Sequence, residues 1–261
     1  MKTIILSFDD GRRDFYTRAF PILQKYGLPA TLNVVTDFVE NPSNYSNFAS
    51  GENLPVSATE LIECQNAGIE IACHGHRHQN NAHDIIENIA HLSSMGLTFS
   101  NGIGFASPGS EITEANKYEQ GVGQLVENGI LSYIRSGIQI RREGLVYSGL
   151  SWIDSHLHSP LLFRYLNRGN IIFHANQKAK IIPSVVIYSY TTLKQVLSYI
   201  EHIPDNSIIV LMFHSILSKK DLGWGIDKYY WPITNFDNLC NYLNNHKNIN
   251  VSKTLDLVIK D

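Results

Sequence analysis

Cysteine is scarce in this chain. Cys64, Cys73 and Cys240 stand apart with no CxxC pair among them, which excludes a disulfide framework and a cysteine-based zinc site. Cys73 adjoins His74 but reads as a small buried strand residue rather than a ligand. Long apolar runs are missing too. The TIIL stretch after Met1-Lys2 is too short for a signal segment, and nothing approaches the roughly 20 residues of a membrane span. The chain therefore reads as cytoplasmic. Excess charge of one sign is absent: a formal net charge of -3 leaves no basic footprint for nucleic acid or an acidic membrane. No Gly- or Ser-rich linker divides the sequence, so residues 1–261 read as one domain.

What is present is a repeated junction of amphipathic helix, glycine and apolar strand. It appears in PILQKYGLPATLNVV, ELIECQNAGIEIAC, LVENGILSYI and FRYLNRGNIIFH, with Gly27, Gly68, Gly129 and Gly169 where a helix would end in the left-handed conformation. Ser57 to Glu60 has capping-box spacing, and Asp14 is placed to cap the helix carrying Phe15, Phe20, Ile22 and Leu23. The runs TIILS, ATLNVV, IEIAC, NIIFH and SIIVLMF are nearly all apolar, as strands covered on both faces are. Repeated βα units over 261 residues predict a closed barrel or a large doubly wound sheet. The stretch from about Arg141 to Pro160 has weak periodicity.

Chemically capable residues fall at strand ends. Asp9 and Asp10 follow TIILSF, His74 follows IEIAC, Ser107-Pro108 follows GIGFA, His174 ends NIIF and His214 ends IIVLMF. In an α/β barrel that rim is where active sites are built. The cluster His74-Gly75-His76-Arg77-His78 supplies imidazoles for a zinc-like ion. If the strand continued, all three would share a face; if Gly75 begins a turn, His74 and His78 converge and His76 points elsewhere. One acid of the pair completes a two-histidine, one-carboxylate site, and the other is free to take a proton from water.

SFDDG, then HGHRH some sixty residues later, then SPGS, then LMFH late in the chain, resemble in their order the motifs of the polysaccharide deacetylase family, the NodB-like enzymes of carbohydrate esterase family 4. YTRAFPILQKYGLPATLNVV is similar to that family's helix and second strand. The resemblance implies a single-domain, distorted (β/α)7 TIM-like barrel that removes acetyl from an N-acetylated sugar. It implies Asp9 as general base, Asp10, His74 and His78 around one divalent ion (zinc, or else cobalt, nickel or manganese), and His214 as general acid. It also implies that the metal and a backbone N–H after Phe105 stabilise the oxyanion. Two departures stand out. Ala106 occupies the place of the arginine that usually pairs with the base, with Arg12 and Arg13 as possible replacements, and Ser151-Trp152-Ile153-Asp154 is a poor match to the Asp-Trp motif that orients the acid histidine. These departures keep alternatives open: a sugar deformylase, a cyclic imidase, an allantoin-like amide hydrolase, or a saccharide-binding homologue of low activity.

Ser107 and Pro108, with Trp224 and Trp231 in KKDLGWGIDKYYWPITNF, are candidate substrate contacts, since aromatic faces stack on sugar rings. Asp154, His156 and His158 echo a DxHxH metal signature but lie mid-chain, and His174 rivals His214. Asn33 and Asp37 lie near enough to the second strand's end to reach the site. An N-acetylated saccharide is the expected partner, and oligomeric state is not legible.

Overall fold

The computed structural model describes residues 1–43, 54–137, 145–173, 181–221, 223–226 and 228–258. The short apolar runs form strands β1 (Lys2–Phe8), β2 (Thr31–Val34), β3 (Glu70–Cys73), β4 (Gly104–Ala106) and β5 (Tyr133–Ser136). They are followed by β6 (Ile172–Phe173), β7 (Ile181–Pro183), β8 (Val185–Val186), β9 (Ser207–Phe213), β10 (Ser215–Leu217), β11 (Tyr230–Pro232) and β12 (Ile249–Ser252). The main sheet runs β9-β1-β2-β3-β4-β5-β7, all parallel.

Closure depends on a broken strand. β7 and β8 are two halves of one extended segment with Ser184 between them. The first half pairs with β5 and the second with β9, so the segment joins the two ends of the sheet into a nearly closed seven-position barrel. Two further strands distort it. β12 lies parallel to the first half of β1, from Lys2↔Ile249 to Ile5↔Ser252, and leaves β2 only Ser7 and Phe8 as partners. β6 runs antiparallel against the start of β9. NIIFH was expected to join the parallel set; it contributes only this two-residue edge, and its His174 lies outside the described residues.

Strand alternation sorts the side chains. Ile4, Leu6, Phe8, Leu32, Ile209, Leu211 and Phe213 face the helices in the main core, where Phe8 packs edge-on to Phe15 with centroids 4.8 Å apart. Ile5, Tyr133, Ile182, Ile208 and Val210 form a second cluster inside the barrel. Continuing that inward register toward the strand ends brings Asp9, Asn33, His74, Arg135 and His214 to one rim. Packing fixes the residue at Gly104: a Cβ there would lie 1.9 Å from the Tyr133 ring.

The capping box holds, with Glu60 N donating to Ser57 Oγ and Ser57 N to Glu60 Oε2. Asp14 does not cap. Its carboxylate turns away to accept from Ile216 N at 3.1 Å, and the chain enters a π-helical turn, Phe15–Ala19, before the α-helix Phe20–Tyr26. Gly27, Gly68 and Gly129 are left-handed as expected, whereas Gly169 sits inside the 3-10 turn Arg168–Asn170. The weakly periodic middle contains the helix Leu145–Leu157, followed by Pro160–Asn167.

Candidate active site

Neighbouring residues on a strand point to opposite faces, so two adjacent acids need a device to reach one cavity. Asp9 still belongs to the ladder, its N–H donating to Phe213 O at 2.9 Å. Asp10 then takes φ +75° and Gly11 φ +67°. This left-handed pair turns the chain at once, and both carboxylates line the same cavity of about 260 Å³. Asp tolerates that conformation better than most residues.

His74 extends β3, and Gly75 (φ +81°) starts a tight turn behind it. A Cβ on Gly75 would meet Asp84 Oδ2 at 2.4 Å. Asp84 holds the turn by accepting from Arg77 N (2.9 Å) and Gln79 N (3.0 Å), while Asn88 Nδ2 donates to Gly75 O and Val34 O. The turn delivers His78, at φ +59°, opposite His74. Their Nε2 atoms are 3.2 Å apart and lie 3.5 Å (His74) and 3.8 Å (His78) from Asp10 Oδ1. His76 turns away, bonded to Thr36 Oγ1 at 2.9 Å and stacked on His91 at 4.3 Å. Among the described residues the site trio is one of two groups close enough to share an ion; Glu40, His76 and His91 form the other.

The trio suits a divalent ion. Ligand atoms about 2 Å from a tetrahedral centre lie about 3.3 Å from one another, near the separations seen. His74 Nδ1 is 2.8 Å from Ala106 O, which fixes its proton there and turns the Nε2 lone pair toward Asp10 and His78. Burial works against ionising Asp10, but the His74 hydrogen bond and the surrounding cations hold it well below the ordinary carboxylate range. His74 is lifted above the usual imidazole value by Asp9 and Asp10 despite its burial, whereas burial and His74 push His78 down to about 4. Without an ion, His74 therefore holds a second ring proton to higher pH than His78 does.

Asp9 has different company. Arg135 Nη2 lies 2.7 Å from both of its carboxylate oxygens, and Asn33 Nδ2 donates to Oδ1 at 2.8 Å. Burial alone would raise Asp9, yet Arg135, with His74 and His214, brings it below the ordinary value. Arg135 sits on β5 directly across from Ala106 on β4. The arginine missing from the third motif is therefore supplied one strand over, at the same height. Arg135 is itself held, Nη1 donating to Ser184 Oγ at 3.1 Å and contacting Met212 Sδ. Arg12 and Arg13 do not fill that place. Arg12 is buried beside Asp10 and Asp14, and Arg13 pairs with Glu60 at the surface.

His214 lines the cavity, and its ring packs on Tyr229 at 4.8 Å. Its Nδ1 is buried with no hydrogen-bond partner among the described residues, so an orienting Asp-Trp pair is not in place there. Burial lowers its pKa, with Asp10 and Asp9 pulling the other way.

The expected substrate contacts divide. Ser107 lines the cavity, its Oγ donating to Asn80 Oδ1, but its N–H is committed to Arg135 O; Gly109 and Ser110 beside it also face the cavity. Pro108 is buried and offers its carbonyl to Asn80. Trp231 is a core residue and not a platform: it is fully buried, packs on Phe213 and donates its indole N–H to Thr191 O at 2.7 Å. Trp224 packs at a tilt against Tyr230 and does not line the cavity, whose wall carries Tyr188 and Tyr229 instead. The DxHxH residues do not converge. Asp154 is buried against Gln195, while His156 and His158 are exposed. Asn33 reaches the site, whereas Asp37 serves its own helix by accepting from Asn41.

Residues 1–120 match the sequence profile of the polysaccharide deacetylase family. That match covers the first 120 of the chain's 261 residues. Over 43 residues it is 46% identical to the poly-beta-1,6-N-acetyl-D-glucosamine N-deacetylase of Escherichia coli K12, a segment covering 16% of this chain and 6% of that protein. The chain thus matches a small fraction of that relative's length. Among solved structures, the Bc1960 peptidoglycan N-acetylglucosamine deacetylase superposes with a TM-score of 0.56 at 12% identity, covering 100% of this chain and 94% of the other. The 4-alpha-glucanotransferase of Thermococcus litoralis gives 0.55 at 10% identity, covering 99% of this chain and 40% of that one. At such identities the likeness shows the barrel fold, and the chemistry has to be argued from the site.

Proposed function

We propose that this chain is a divalent-metal-dependent deacetylase of an N-acetylated saccharide. The observation that carries the reading is the division of two adjacent acids. Asp10 faces the two histidine Nε2 atoms, while Asp9 is gripped by Arg135. Asp10, His74 and His78 would hold the ion, which when bound polarises a carbonyl and lowers the pKa of a coordinated water to roughly 7.

The chain's own groups supply the rest. Asp9, kept ionised and aimed by Arg135 and Asn33, takes the proton from the attacking water. As the C–N bond breaks, acetate leaves and the amine nitrogen needs a proton. His214, in the same cavity, provides it; its burial makes a proton it carries easy to give up. Tyr188 and Tyr229 wall the substrate side. Because closing the barrel takes strands out to β9, the whole of 1–261 is read as one catalytic unit.

The test is an assay of zinc-loaded protein on N-acetylated glycans that separates acetate, formate and ring-opened acid. Acetate is expected. Formate or ring-opened acid in its place overturns the substrate class. Asp9→Asn is expected to keep the ion and lose turnover, and full turnover in that variant overturns the division of roles.

A further inference from the structure

Of the three histidines in HGHRH, the metal trio uses two, and the third has a setting of its own. His76 is 6% exposed. Its Nδ1 is engaged by Thr36 Oγ1 at 2.9 Å, which leaves Nε2 with no hydrogen-bond partner among the described residues. Asn88 Nδ2 donates to the same Thr36 oxygen at 3.0 Å, so the group that orients the ring is itself held. The ring stacks on His91, centroids 4.3 Å apart and planes 13° apart. His91 Nδ1 in turn lies 2.6 Å from Glu40 Oε1. One ligand atom from each of Glu40, His76 and His91 falls within 4.8 Å of the others.

Three separate pieces of chain meet there. Glu40 ends the helix Thr36–Glu40, His76 sits in the turn between His74 and His78, and His91 lies near the end of the helix Ala82–Ser94. Asp37 N donates to His76 O at 3.0 Å, and His76 N to Asp84 O at 3.1 Å, so the turn already touches both helices. Two imidazoles and one carboxylate are a donor set for a zinc-like ion, too rich in nitrogen for calcium or magnesium. A ligating histidine commonly commits its other ring nitrogen to a fixed partner, as Thr36 provides for His76.

Donors about 2 Å from one ion lie within about 4 Å of each other, so the cluster must tighten slightly. His76 is the buried anchor. The side chains of His91 and Glu40 are 37% and 33% exposed, and His91 closes by tilting off the stack. We propose that Glu40, His76 and His91 form a second site for a zinc-like ion, structural rather than catalytic, which fastens the turn delivering His78 to the helices beside it. It stands independently of the deacetylase reading. Because two of its three ligands move, it binds more weakly than the site of Asp10, His74 and His78.

The probe is zinc alone, with bound metal measured after equilibrium dialysis of chelator-stripped protein against micromolar free ion. Two equivalents are expected for the wild type and one for Asp10→Ala. His91→Ala and Glu40→Gln are each expected to hold one and to keep the wild-type rate of any turnover. Asp10→Ala combined with His91→Ala is expected to hold none. Zinc should raise the Tm of Asp10→Ala but not that of the combined variant. The two surface variants serve as alternatives should one of them fail to fold. No bound zinc in Asp10→Ala overturns the second site, as does a second equivalent that survives both His91→Ala and Glu40→Gln. A single wild-type equivalent that survives Asp10→Ala and is lost in His91→Ala supports this site and overturns the metal reading of the catalytic trio.

Discussion

Arg135 closes on Asp9 from across the barrel, its Nη2 lying 2.7 Å from both carboxylate oxygens. The pair joins residues far apart in sequence, and both are buried. Because Asp9 is held below its free value, the pairing contributes stability above about pH 4 that is lost as falling pH protonates the carboxylate.

Arg135→Gln is therefore expected to lower kcat/KM by about 10²–10³-fold, within the range of general-base catalysis. The acid limb of its pH profile moves to higher pH, because burial of Asp9 is then unopposed by the guanidinium. Bound metal stays near one equivalent. Arg135→Lys recovers only part of the loss, since an ammonium lacks the planar fork. Steady-state rates across pH, with metal content measured in parallel, check this; wild-type kcat/KM in Arg135→Gln refutes it.

Metal affinity carries its own pH signature. His74 is raised and His78 is lowered to about 4, so between pH 5 and 6 an entering ion displaces a single proton, from His74. Affinity is expected to rise about 10-fold per pH unit there. Calorimetry in buffers of different ionisation enthalpy counts the protons, and a count of two would show that His78 titrates in the same range. Asp10→Ala and His78→Ala are expected to lose the ion, and chelation of the wild type to abolish turnover until zinc is returned.

The two tryptophans separate core from surface. Trp231→Ala removes a fully buried indole and its bond to Thr191 O, and is expected to cost about 3–5 kcal/mol in denaturant titration. Trp224→Ala, in a half-exposed position, is expected to cost less than about 1 kcal/mol. Equal costs would contradict these placements.

The strand-end acids and histidines were legible because they stand beside apolar runs whose period-2 alternation fixes where they point. Asp9 belongs with Ile5 and Ser7, and His214 with Val210 and Met212. Turn chemistry was legible at Gly27, Gly68 and Gly129 for a similar local reason. Arg135 was not, because the only sequence signal is a lone arginine in YIRS and its partner is contributed by another strand. Trp231 was misplaced because an aromatic-rich loop looks the same whether its rings face a ligand or the core. Only the partners, Phe213 and Thr191, decide. Residues 181–186 escaped notice because Pro183 and Ser184 interrupt a run too short to show a period.

That interrupted run has a final consequence. Ser184 Oγ, at the break between β7 and β8, donates to Ser136 O at 2.7 Å and accepts from Arg135 Nη1. The seam that completes the cylinder is thus the bracket for the guanidinium that charges Asp9. Loosening that seam would free the guanidinium from its bracket, while Asp10, His74 and His78 are held by β1 and by the turn after β3, so the two halves of the site rest on separate parts of the sheet.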